Sequence, residues 1–140
     1  MMDEPTELHG QHGHIQALTA ELLHQLTGPH PGLAPEDLAA FISVKLRVLR
    51  DTLSRHFQFE EAGGYMQDVL RRSPRHRGEV DRLLAQHVAI LEVLSELDQI
   101  HDGLTLKDRA SRVLELLAAH ERDETELIQR SIADEPGGGD

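Results

Sequence analysis

Two histidines in this chain are each followed by a glutamate four residues later, in His56-Phe57-Gln58-Phe59-Glu60 and in His120-Glu121-Arg122-Asp123-Glu124. On an α-helix that spacing stacks the imidazole and the carboxylate on one face, one turn apart. A doubled HxxxE step on helices is what a two-metal site in a helical bundle would need. Two more histidines sit in matched settings upstream. Gln11-His12-Gly13-His14-Ile15 agrees with Gln86-His87-Val88-Ala89-Ile90 in three of five positions. Each of these segments precedes a stretch ending in Leu-x-x-His-x-x-x-Glu, Leu53 to Glu60 and Leu117 to Glu124. The chain therefore reads as a two-fold internal repeat.

The elements that must position these side chains follow from the spacing of apolar residues. From about Thr6 to Thr27 the stripe is Leu8, Ile15, Leu18, Leu22 and Leu26, and His12 falls in its gap, which predicts an amphipathic helix with His12 on the buried face. Gly28-Pro29-His30-Pro31-Gly32 breaks it. A second helix starts near Pro35, with Glu36 and Asp37 favourable at its positive end. Its stripe of Leu38, Ile42, Leu46, Leu49 and Leu53 runs on into His56 and Glu60. Gly63-Gly64 interrupts, and a short apolar-spaced piece with Tyr65, Met66, Val69 and Leu70 follows. A third helix is expected from about Gly78 to Ile100, with His87 in the middle of a Leu-rich face. After a break at Asp102-Gly103 a fourth starts at Thr105, with Asp108 as a weak capping box, and leads through Leu117 to His120 and Glu124.

The reading is all-α: four amphipathic helices in an up-down-up-down bundle spanning residues 6–133, with flexible tails at 1–5 and 134–140. Composition agrees. The chain has 140 residues, enough for one real core, and only 3% are aromatic, which favours helices packed on Leu. A net charge of −11 argues against nucleic acid and against an anionic membrane surface. No apolar run approaches the ~20 residues of a membrane span, and the acidic start Met-Met-Asp-Glu-Pro does not resemble a signal peptide. Cysteine is absent, which removes disulfides and thiolate chemistry and fits a cytoplasmic protein.

In an antiparallel bundle His12, His56, Glu60, His87, His120 and Glu124 lie at one end and point inward. Six buried polar groups in one layer make a poor dry core, because unpaired buried carboxylates are costly. A pair of metal ions resolves this. Two bridging glutamates and four histidines supply about eight of the roughly ten to twelve bonds that two five- or six-coordinate ions take, leaving places for water, an oxo or hydroxo bridge, or a small ligand. Mixed histidine and carboxylate ligation suits iron or manganese better than a structural zinc site, which closes at about four.

These residues carry a resemblance. From His12 to Glu124 the chain resembles the hemerythrin-like (HHE cation-binding) domain family. The resemblance implies a four-helix bundle holding a non-haem diiron centre, with manganese or a mixed metal pair as the alternative. It implies Glu60 and Glu124 as bridges and His12, His56, His87 and His120 as terminal ligands. The chain departs from the oxygen-carrying members. Leu83 stands where their third helix has the first histidine of HxxxH, and Thr125 where they have the last aspartate. That shifts the expectation from reversible O2 carriage toward binding or processing O2, NO or peroxide. A ferroxidase or peroxide-degrading enzyme at the same site is the alternative, and a metal-independent module whose polar layer fixes helix register is the reading from another class.

Neighbouring residues are weighed against this layer. His9 is about 60° from His12 around the helix and is a rival or fifth histidine, whereas His14, about 200° away, faces solvent. Glu61 either orients a histidine or is a solvated acid. Tyr65 either caps the site by packing or offers a phenol to it. His24 and His101 fall too far along their helices, and His30 and His76 lie in breakers; all four are expected to be exposed.

Overall fold

The computed structural model describes residues 4–28, 33–62 and 64–133, with side chains from residue 12 onward within those ranges apart from residue 35. The helices are α1 (Glu4–Thr27), α2 (Pro35–Glu61), α3 (Tyr65–Arg72), α4 (Arg77–Leu97) and α5 (Gly103–Ala133), with a 3-10 turn (Pro74–His76) before α4. The four long helices form an all-α bundle. The expected tail at 134–140 and the first three residues of the other lie outside the described residues, as does His30.

The apolar stripes face one another as their spacing requires. Ile15, Leu22 and Leu26 of α1 meet Leu38, Ile42, Leu46, Leu49 and Leu53 of α2, Ile90 and Leu94 of α4, and Leu106, Val113, Leu114 and Leu117 of α5 in one core. His12, near the start of α1, meets Glu60 and Glu124, near the ends of α2 and α5. Helices that join start to end run antiparallel. Contacts link α2 directly to α5, and α1 and α4 each touch both. The two HxxxE steps are thus on the central pair, and the lone histidines of α1 and α4 come in from its flanks.

A second apolar cluster closes the site end. It consists of Tyr65, Met66 and Val69 of α3 with Val80, Leu83 and Leu127. The short apolar piece after the Gly63-Gly64 break is therefore a helix in its own right, folded over the end of the bundle. Leu83 belongs to this cap, which explains an apolar residue one turn before His87. The polar layer lies between the two clusters.

Three expectations need correction. The last helix begins at Gly103, two residues before Thr105, because Asp102 is the residue that caps it: its carboxylate accepts from the Thr105 amide at 3.0 Å and from the Thr105 hydroxyl. Those hydrogen bonds hold Asp102 below the usual carboxylate range. The third helix spans Arg77–Leu97 rather than reaching Ile100. His76 is buried, with Nδ1 3.4 Å from Glu79, which also pairs with Arg130 of α5; the turn is pinned under the bundle end instead of lying in solvent. No helix among the described residues is long and apolar enough to cross a membrane.

Gly64 sets the angle of the cap. A Cβ there would come within 2.4 Å of the Phe59 carbonyl oxygen and 2.7 Å of that of Glu60. Only the absence of a side chain lets α3 fold back so tightly on the end of α2. Gly64→Ala is expected to destabilise the protein by about 1–3 kcal/mol, the usual cost of forcing extra volume into a closed space, as measured by chemical denaturation.

Candidate metal centre

Each half of the site is built from one flanking helix and the central pair. His12, His56, Glu60 and Glu124 bring one ligand atom each to within 4.8 Å of one another, and His87, His120 and Glu124 do the same. Glu124 belongs to both groups. Its Oε2 lies 3.2 Å from Nε2 of His12, while its Oε1 lies 3.2 Å from Nε2 of His87 and is in close contact with Nε2 of His120. Glu60 spans the halves as well, with Oε2 3.1 Å from Nε2 of His12 and Oε1 3.4 Å from Nε2 of both His56 and His87. The imidazoles pair edge to face, His12 with His56 at 5.0 Å between centroids and His87 with His120 at 4.9 Å. Phe57 forms the floor, stacked on His87 at 3.8 Å.

All four rings turn Nε2 inward. The outer nitrogens of His87 and His120 are each held by a partner. Nδ1 of His87 is 2.7 Å from Glu61 Oε2, and Nδ1 of His120 is 2.6 Å from Gln86 Oε1. Both partners are acceptors, so each Nδ1 carries the proton and donates it, which leaves Nε2 free to present a lone pair to a cation. Glu61 thus orients a histidine. Tyr65 is 5% exposed and donates from its hydroxyl to Glu124 Oε2 at 2.7 Å, so it both caps the layer and touches a carboxylate shared by the halves.

One inward carboxylate escaped the sequence reading. Glu121 is 2% exposed, beside His12 and His56. Within His120-Glu121-Arg122-Asp123-Glu124 it reads as part of a solvated charge run. The available signal was its place three residues before Glu124, on the same face of the helix. The side chain of His9 lies outside the described ones. His14, His24 and His101 are exposed, as expected. Thr125 donates from its hydroxyl to the Glu121 carbonyl at 3.0 Å and takes no part in the layer.

A family model described as the hemerythrin HHE cation binding domain matches residues 3–131. The chain belongs to the hemerythrin HHE family. No curated protein and no solved structure matches it significantly. The family's cation binding and the converging histidines and glutamates agree: the donors of this HHE domain are those a metal ion takes, and the cluster is compatible with metal binding.

Electrostatics of the HHE layer point the same way. Burial pushes Glu60 up to about 10, helped by its hydrogen bond to Glu124 and the charges of Glu124 and Glu121. Burial, then the charge of Glu124, raises Glu121 to about 8. Glu124 stays ionised: burial opposes its charge, but hydrogen bonds from Glu60, His12, His120 and His87 hold it well below the usual range. Burial lowers His56 to about 4. For His12 and His87 burial works downward too, yet nearby carboxylates prevail, raising both, His87 to about 10. Burial and the surrounding carboxylates keep the Tyr65 phenol protonated. Without a cation, the layer balances its charge with protons.

Two outcomes follow. Above the ordinary histidine value of 6.5, His56 is neutral folded or unfolded, whereas Glu60, Glu121 and His87 hold protons in the fold that the unfolded chain has lost. Unfolding there releases protons, so the metal-free protein is expected to melt progressively lower as pH rises from about 7 to 9, a trend that calorimetry across buffers checks. Gln86→Leu removes the acceptor that orients His120 and is expected to weaken metal binding about 10–100-fold, measured by competition with a chelating dye.

Proposed function

We propose that this chain holds two iron ions between its HxxxE steps and binds or processes a small oxidant or gas there, O2, NO or peroxide. His12, His56, His87 and His120 act as terminal ligands through Nε2, and Glu60 and Glu124 as bridges. The observation that carries this reading is the sharing of Glu124: one carboxylate reaches two histidine pairs, each oxygen serving a different half. Imidazole with carboxylate is a donor set for iron, and manganese also accepts it. Iron bound there supplies redox chemistry and open coordination positions.

The protein's part is binding, orientation and exclusion. The layer is sealed between the main core and the α3 cap, and His12, at 7%, is the most exposed of its histidines and carboxylates. A molecule of two or three heavy atoms fits such a setting, and a large organic substrate does not. The Tyr65 hydroxyl donates a hydrogen bond to Oε2 of Glu124, the shared carboxylate. Glu61, half exposed and bonded to His87, connects the layer to solvent for proton movement. The excess of acidic over basic residues makes nucleic acid an unsuitable partner.

Optical titration of the reduced, iron-loaded protein with O2 and with NO tests the reading. Absorbance changes with at least one of them are expected, and they should be lost in His56→Ala. A spectrum unmoved by both gases and by peroxide would contradict it.

A further inference from the structure

Glu121 differs from the glutamates of the two HxxxE steps. It is 2% exposed, and neither carboxylate oxygen accepts a hydrogen bond from the described residues. A buried carboxylate left without donors is costly. Its oxygens face one half of the layer: Oε2 is 3.5 Å from Nε2 of His12, and Oε1 is 3.6 Å from Nε2 of His56. Both distances exceed those of good hydrogen bonds, and a cation between the three groups would serve all of them.

Helix geometry dictates this one-sidedness. Successive residues turn by about 100° around the axis, so Glu121 points about 100° away from His120. His120 lies on the side of α5 that faces α4, where its Nδ1 meets Gln86, and the step to Glu121 turns toward α1 and α2. Glu124 falls between them, about 40° from His120 and about 60° from Glu121, which is why it alone of the three reaches both halves.

We propose that Glu121 is a terminal metal ligand for the His12/His56 position only, so that the two metal positions are unequal. This rests on the two-metal reading above. The His12/His56 position then has two imidazoles, one terminal carboxylate and a share of both bridging carboxylates. The His87/His120 position has two imidazoles and the bridging shares alone. The first is the more oxygen-rich and more nearly filled, and suits the harder cation. The second keeps more open places, and the incoming small molecule binds there.

Anaerobic Fe(II) calorimetry and Mössbauer spectroscopy of the 57Fe-loaded full chain test this. The wild type should show two quadrupole doublets of equal area and two unequal binding events. Glu121→Gln, which keeps the shape and removes the charge, should weaken one event by at least about tenfold, leave the other unchanged and shift one doublet toward its neighbour. Glu121→Asp should retain two events. A single doublet in the wild type would overturn the proposal even if Glu121→Gln fails to fold, as would a Glu121→Gln protein with both events and both doublets unchanged. Absence of any iron binding by the wild type would instead remove the two-metal reading itself.

Discussion

The structure turns on one constraint: four imidazoles and three carboxylates are buried in a single layer near one end of a helical bundle. Apolar side chains could have filled that volume at less electrostatic cost, since removing charges from water is repaid only when they are closely compensated. Without a cation the layer keeps protons instead: burial and the neighbouring carboxylates hold Glu60 protonated while Glu124 stays ionised. Cations in place of those protons would satisfy the same oxygens and the inward Nε2 atoms at once. The rest of the fold serves to keep water out of this layer and its donors in place.

The division of labour among helices follows. α2 and α5 touch along the centre of the bundle and carry the carboxylates that reach both halves. α1 and α4 stand on either side and contribute one inward histidine each, His12 and His87. Two near-equivalent halves result from the internal repeat, and the repeat is broken where chemistry could differ. The first HxxxE step has Phe57 after its histidine, and this ring becomes the floor under His87. The second has Glu121, whose carboxylate enters the layer. The cap is a further break: α3 follows only the first half, brings Tyr65 to Glu124, and depends on Gly64 for its approach.

Most of the bundle was legible because its determinants are local. The stripe from Leu38 to Leu53 continues into His56 and Glu60 with helical spacing, so their burial follows from the same periodicity that buries the leucines. His12 and His87 were legible for the same reason. What escaped depends on contacts between elements. Glu121 looks like one more acid in a charged run, and its burial is caused by α1 and α2 lying over that side of α5. His76 sits in a Pro-containing turn, and its burial comes from how the turn is folded against the bundle end. The orienting role of Gln86 toward His120 is likewise a contact across helices. Asp102 was read as a breaker because Asp-Gly marks turns, whereas here the carboxylate caps the following helix.

The proposed function requires that this layer take up two metal ions. Elemental analysis of the protein, purified without chelators after expression with iron supplied, tests it most directly. About two iron ions per chain are expected, the number that di-iron carboxylate bundles hold. Metal at background level, in protein that is folded and melts as a bundle, would contradict it.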